Sequence, residues 1–304
     1  MKNIKAIIYL FLLLTLIACN QNAEEDSNQT NKIVTSIYPI EYIVSEIAGD
    51  FVEVETVVPS GADSHSYEPS TKRMLELADS DGFFFIGEGM EVFSETMAET
   101  VQSEGVQTLR LAEHHDLFED AAHDHEGDDE HHHGDFDPHF WLDPIRMIDA
   151  GEIVLDEMVS LYPEQEGQFQ EHFNQFKEKM TDLDEQFKSN LDQVNLLVAH
   201  QSFTYWEQRY PIKQYAIRGI SSSEEPSQKE LQELFEDIEQ LNMNDIVLEN
   251  NSDDRLALTI ANELNLEKYY LSNLSTRTDN QVEENMDYVD IMLENLEVLK
   301  QLNQ

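Results

Sequence analysis

The stretch PEQEGQFQEHFNQFKEKMTDLDEQFKSNL, residues 163–191, carries Phe169, Phe173, Phe176, Met180, Leu183, Phe187 and Leu191 at steps of 4, 3, 4, 3, 4 and 4. Steps of three and four keep one side of an α-helix apolar, and no proline or glycine interrupts the pattern after Gly167. From Pro163 to Asn190 such a helix is on the order of 40 Å long, at 1.5 Å per residue. The stripe lasts barely three heptads, too short a repeat for a coiled coil inside a globular chain. It predicts a rigid connecting helix, residues 164–191, between two other bodies.

On both sides of it, short β-branched and aromatic runs alternate with amphipathic stretches, the pattern of α/β architecture. Before the helix, strands are expected at Ile33–Ile37, Phe51–Val57, Gly82–Ile86 and Val106–Leu109, with helices at Ile40–Ala48, Pro69–Ala78 and Met90–Val101. After it, strands are expected at Val194–Ala199, Gln214–Ala216, Asp245–Leu248 and Lys268–Leu271, with helices at Ser227–Leu241, Asp254–Leu264 and Gln281–Leu302. The fold class is therefore two α/β lobes, 32–163 and 192–304, each a mostly parallel sheet flanked by helices, joined by one long helix.

The N-terminal end reads as an export signal. Lys2 and Lys5 precede an uncharged apolar run of 13 residues, Ala6–Ala18, too short for the roughly 20 residues of a spanning helix. Cys19 follows it directly and is the only cysteine, so no intramolecular disulfide forms. The Leu16-Ile17-Ala18-Cys19 stretch resembles the bacterial lipobox, which implies cleavage after residue 18, lipid modification of Cys19 and anchoring to the outside of the cell membrane. Residues 19–31 are polar and poor in apolar side chains, as expected of a flexible tether. Removing residues 1–18 discards two of 18 basic residues and none of the 63 acidic ones, leaving 16 − 63 = −47 on 286 residues. That balance repels phosphate backbones and excludes nucleic acid as a partner. Much of the acid lies on helix faces, where it serves solubility, and no interface stripe argues against a monomer.

Residues 113–138, with the following His139, hold eight histidines, eleven acidic residues and no Lys or Arg. Such a segment cannot be core, and His-rich tracts of this composition bind metals; His123, His125, His131, His132 and His133 are the candidate auxiliary ligands. Three further histidines stand in structured contexts. His65 follows the turn-rich Pro59-Ser60-Gly61-Ala62-Asp63-Ser64, His139 lies in Asp137-Pro138-His139-Phe140-Trp141, and His200 ends the apolar run 195–199. Ligands of α/β sheets bind outside the carboxyl ends of strands, where His65 and His200 are expected in different lobes. Three neutral imidazoles with one open position suit tetrahedral Zn²⁺, whereas Mg²⁺, Ca²⁺ and Mn²⁺ ask for more carboxylate oxygen. No short-range pattern pins the three together, and a histidine taken alone is more often a surface or hydrogen-bonded residue than a ligand.

The blocks Gly61-Ala-Asp-Ser-His65-Ser-Tyr-Glu-Pro69, Asp137-Pro-His139-Phe-Trp-Leu-Asp-Pro144, Ala199-His200-Gln-Ser-Phe-Thr-Tyr205 and Gly219-Ile-Ser-Ser-Ser-Glu-Glu-Pro-Ser227 resemble, in order, the signature blocks of the zinc-specific solute-binding proteins of ABC transporters, the ZnuA-type and AdcA-type members. The resemblance covers nearly the whole chain after residue 31. It implies zinc held between the lobes by His65, His139 and His200 and delivered to an ABC import permease. Manganese-preferring relatives carry a carboxylate at the third position, so His200 argues for zinc. AdcA-like members carry an acidic fourth ligand at a position that falls here on Ser275, which leaves water or an unaligned carboxylate to complete the shell; Glu68 is an auxiliary candidate that reads equally as a helix-start residue. Two other classes remain. A zinc hydrolase would use the same ligands, but no general base or Gly-x-Ser-x-Gly nucleophile pattern accompanies them. A manganese transporter or a surface adhesin of the same fold would keep the architecture.

Overall fold

The computed structural model describes residues 31–118, 137–222, 225–250 and 254–302. The described residues from Lys32 onward form one compact unit. Cys19 and the five auxiliary loop histidines lie outside the described residues.

Two four-stranded sheets, all parallel, organise the chain. The first contains β1 (Lys32–Thr35), β2 (Glu53–Thr56), β3 (Gly82–Phe85) and β4 (Gln107–Arg110) in the order β2-β1-β3-β4. The second contains β5 (Val194–His200), β6 (Ile212–Arg218), β7 (Asp245–Glu249) and β8 (Glu267–Leu271) in the order β6-β5-β7-β8. Both therefore reverse direction of growth beside their first strand, and the crevice at that point is where open α/β sheets bind ligands.

Helices connect the strands: α1 (Tyr38–Ala48), α2 (Thr71–Leu77), α3 (Ser94–Ser103), α4 (Pro144–Leu161), α5 (Glu166–Asn190), α6 (Thr204–Arg209), α7 (Gln228–Leu241), α8 (Arg255–Glu263), α9 (Asp279–Glu283) and α10 (Tyr288–Leu299). The expected long helix is α5, with Phe169, Phe173, Phe176, Met180, Leu183 and Phe187 all buried. Its apolar stripe is covered mainly by α4 and α1. Toward the second sheet it packs on α10, and its last turn sets Phe187 against Trp206 of α6 and Tyr210 just after it, ring centroids 5.7 and 5.1 Å away.

Helix α4 is absent from the sequence expectations. Its signals were legible: Asp143 caps it by accepting from Ile145 N–H at 2.8 Å, Pro144 stands at its first position, and Met147, Ile148, Gly151, Val154, Leu155 and Met158 form its buried face. Gly151 lets α4 and α5 approach closely, since a Cβ there would lie 2.8 Å from the Phe176 ring and 3.1 Å from that of Phe173. The expected helix 281–302 is instead two helices, because Asn285 takes a left-handed φ of 55° between α9 and α10. The helix expected from Met90 begins at Ser94, and the residues before it form a turn held by Glu91. Glu68 is exposed and lies outside α2, whose N-cap is Ser70.

One core crosses between the sheets. It joins α1, α4 and α5 to β5, α6 and α10, and includes the stacked pair Tyr42 and Tyr288, 5.2 Å apart. A second, smaller core lies between the other face of the second sheet and helices α7 and α8. Among the described residues no helix is long and apolar enough to cross a membrane.

Candidate metal centre

His200 is the last residue of β5 and Glu249 the last of β7, so the two flank the crevice of the second sheet. His65 comes from the loop between β2 and α2, and His139 from the segment that leads into α4. The fold brings all three histidines together: each offers a ligand atom, and these atoms lie within 4.8 Å of one another. His65 Nε2 and His139 Nε2 are 3.3 Å apart, and the ring centroids are separated by 5.3, 5.5 and 5.8 Å. His65 is 8% exposed, His200 2% and His139 0%.

Carboxylates hold two of the rings. Asp137 Oδ1 accepts both from the His139 backbone N–H at 3.0 Å and from its Nδ1 at 2.8 Å. Glu249 Oε1 lies 2.5 Å from His200 Nδ1, while Glu249 Oε2 accepts from Asn273 Nδ2 at 2.8 Å. His200 Nε2 is left buried without a partner. A buried orphan nitrogen costs free energy unless something occupies its lone pair, and this one belongs to the histidine cluster. Asp63 repeats the Asp-x-His pattern of Asp137, its Oδ1 accepting from the His65 backbone N–H at 2.9 Å, but it does not touch the ring.

Ser275 lines the same small cavity as His65 and His200, together with Asp63, Ser222, Glu249 and Asn273; its volume is about 10 Å³, room for one water or ion. The Ser275 hydroxyl donates to Asn273 Oδ1 at 2.9 Å. Glu68 is not part of the cluster.

Buried aromatic donors fix the His139 segment. Tyr205 Oη donates to Asp137 O at 2.8 Å, Trp206 Nε1 to Leu142 O at 2.6 Å, and Tyr288 Oη to Trp141 O at 2.6 Å; Trp141 Nε1 in turn donates to Asn273 O at 2.7 Å. Sequence reasoning missed these residues and both carboxylates. Asp137 was signalled by its place two residues before His139, and Glu249 by its position at the end of a strand. Nothing local marks the aromatic donors, whose acceptors lie 64 to 147 residues away.

Electrostatics separate the histidines. Burial, with His139 and His200 adding to it, pushes the pKa of His65 down to about 2, so this imidazole is neutral and free to donate a lone pair. Burial also works against charge on His200, but the Glu249 carboxylate outweighs it, with Asp63 and Asp137 helping, and the pKa ends up raised. A cation entering the cluster must therefore displace a proton more readily held on His200 than on a free imidazole.

Comparison with known proteins agrees with this architecture. The family described as "zinc-uptake complex component A periplasmic" matches residues 33–302. The zinc-binding lipoprotein AdcA of Streptococcus pneumoniae is 31% identical over 307 residues, 99% of this chain, which spans only 61% of that longer relative. The high-affinity zinc uptake system protein ZnuA of Bacillus subtilis is 25% identical over 300 residues, covering 95% of this chain and 93% of the relative. The crystal structure of the Zn(II)-bound ZnuA-like domain of Streptococcus pneumoniae AdcA superposes with a TM-score of 0.71 at 30% identity, covering 90% of this chain and 98% of that one. With a match over nearly all of its folded length, the chain belongs to the family of zinc-uptake complex component A, the periplasmic solute-binding proteins.

Proposed function

We propose that this protein binds Zn²⁺ through His65, His139 and His200 and delivers it to an ABC import permease, without catalysing a chemical step. The observation that carries the reading is the convergence of three buried imidazoles around one point, with His200 Nε2 unpartnered. Three nitrogen donors match zinc, a borderline-soft ion, and give hard Mn²⁺ little of the oxygen it prefers. The nearby carboxylates of Asp137 and Glu249 are turned to ring Nδ1 atoms, the arrangement that fixes and strengthens histidine ligands. Water beside Ser275 is proposed to complete a tetrahedral shell.

The family setting supports an extracytoplasmic location. An anchor on Cys19, the auxiliary role of the loop histidines and a monomeric state complete the proposal. The lobes are 32–163 and 192–304 with the connecting helix 164–191, and the core shared across the sheets supports small rearrangements rather than wide lobe rotation.

Calorimetric titration of the metal-free protein with zinc and with manganese, beside a His65, His139 and His200 triple-alanine variant, tests the reading. One tight zinc site lost in the variant, with weaker manganese binding, is expected. Tight manganese binding, or an unaffected variant, would sink it.

A further inference from the structure

The turn that follows β8, residues 272–277, is built around a strained residue. Leu274 is fully buried and takes a left-handed φ of 60°, a conformation that a bulky side chain rarely adopts and that persists only where the surroundings dictate it. On one flank α10 dictates it: Leu274 N–H donates to Ser272 Oγ at 3.1 Å, Ser272 N–H to Asn295 Oδ1 at 2.9 Å, and Asn295 Nδ2 to Ser272 O at 2.8 Å. On the other flank stands α1. Tyr38 N–H, in the first turn of α1 where no partner within the helix exists, donates to Ser275 O at 3.2 Å. The Arg277 guanidinium lies 4.4 Å from the Tyr38 ring centroid and 3.3 Å from Glu41 Oε1.

The left-handed residue turns Ser275 back onto the side chain of Asn273. Ser275 N–H, at 3.1 Å, and the Ser275 hydroxyl, at 2.9 Å, both donate to Asn273 Oδ1. A backbone N–H only donates, so the carboxamide oxygen has to face Ser275 and the amide cannot be flipped. Its nitrogen is left facing the other way, where it donates to Glu249 Oε2 at 2.8 Å. The second oxygen of that carboxylate lies 2.5 Å from His200 Nδ1. Asn273 is 4% exposed, so the bonds it makes are strengthened by the low dielectric around them. Its backbone contributes separately, Asn273 O accepting from Trp141 Nε1 at 2.7 Å.

We infer that Asn273 is a positioning residue for metal binding: its amide fixes the Glu249 carboxylate, and through it the His200 ring, while Ser275 acts by fixing that amide rather than by ligating the ion. This rests on the cleft being the zinc site. The terminal torsion of a glutamate is broad, so a contact at Oε1 alone does not set the plane of the carboxylate; a second contact, at Oε2, does. Ser275 stands where the family resemblance places an acidic ligand, and its two donors are spent one step further back, on the support of His200.

Zinc affinity, measured by competition with a chromophoric chelator, is compared for Asn273→Leu, Glu249→Leu, the variant carrying both, Ser275→Ala, and Ser275→Ala combined with Asn273→Leu. His200→Ala serves as the control for the site, and melting temperatures of the metal-free proteins confirm that each variant is folded. Asn273→Leu keeps the backbone acceptor of Trp141. It is expected to weaken zinc binding about tenfold, the low end of the range for outer partners of metal ligands, but less than about twofold where Glu249 is already leucine, because members of one network do not add. Ser275→Ala retains the backbone donor to Asn273, so its effect should stay within about threefold and vanish in the Asn273→Leu background. A tenfold loss from Asn273→Leu that persists beside Glu249→Leu would overturn action through the carboxylate. A tenfold loss from Ser275→Ala, alone or added to Asn273→Leu, would make the serine a ligand and overturn its assigned part. Unchanged binding in His200→Ala would instead remove the zinc site itself, and the inference with it.

A readout without metal looks at the ring directly. Above the raised pKa of His200, long-range ¹H–¹⁵N histidine spectra of the unsubstituted protein should show the His200 proton held on Nδ1. Asn273→Leu should weaken that preference and Ser275→Ala should leave it. A His200 signal indifferent to Asn273→Leu would refute the inference.

Discussion

The two sheets share a strand order, and each places one buried carboxylate at its crevice, yet the two crevices do different things. In the first sheet Glu91 sits past the ends of β1 and β3. It accepts from the Ser36 hydroxyl, from Ile86 N–H at 3.2 Å and from Gly87 N–H at 3.1 Å. In the second sheet Glu249, the last residue of β7, is turned to His200 and Asn273. Glu91 spends its acceptor capacity on the fold and closes its crevice. Glu249 spends part of its own on a ring whose other nitrogen is free, and so leaves a site. Topology supplies two equivalent crevices; the donors that meet the carboxylate decide which one binds.

Exchanging the carboxylates for leucine should break the comparison most sharply. Glu249→Leu is expected to weaken zinc binding about 10- to 100-fold through loss of support for His200. Glu91→Leu should leave zinc affinity within about twofold and cost roughly 3 kcal/mol of stability, because two backbone N–H groups and a hydroxyl lose their acceptor in the interior. Calorimetry and denaturant unfolding of both variants check this; a zinc defect in Glu91→Leu would erase the distinction.

The pH response should differ next. His200 has a raised pKa in the metal-free fold, so below that value each zinc bound displaces about one proton and the affinity falls about tenfold per pH unit. Calorimetry in buffers of different ionisation enthalpy counts the proton, and Glu249→Gln should shift the onset of the fall to lower pH. In the metal-free protein His200 stabilises the fold below the ordinary histidine pKa, and this contribution is lost as pH rises through its raised value. His65, pushed down to about 2, acts oppositely: its contribution is complete above about pH 6.5 and is lost as pH falls. Burial raises the pKa of Glu91, the hydrogen bonds from Ser36, Gly87 and Ile86 opposing it, so the first crevice is most stabilising in acid and loses stability as pH rises through that raised value.

The smallest effect sharpens the first crevice alone. Ser36→Ala removes one donor from Glu91 and should cost about 1 kcal/mol, read as a lower melting temperature, with zinc binding unchanged.

Much of the fold was legible locally. The steps of three and four from Phe169 to Phe187 identify a helix whatever covers it, and the alternation of short strands with helices sets the α/β class. The break at Asn285 was not legible, because the apolar pattern continues through a residue that turns left-handed. Nor was the covering of α5 by α4 and α1, which depends on Gly151 meeting two phenylalanine rings. In the site, the histidines stood out by their places at strand ends and beside turns, and the likeness of four ordered blocks joined them. Their unequal support did not stand out, since Glu249 lies 49 residues from His200 and Tyr288 bonds a carbonyl 147 residues away.

The sequence by itself determined most of the helical and strand segments, the acidity, the histidine candidates and the family, because periodicity, composition and ordered motifs are properties of neighbouring residues. Only the tertiary structure decided that three histidines from separate segments face one point, that Glu91 closes one crevice while Glu249 leaves the other able to bind, and that His139 is fastened to the body that carries His200. Those outcomes depend on long-range packing and on which buried donor finds which acceptor, and no local pattern records them.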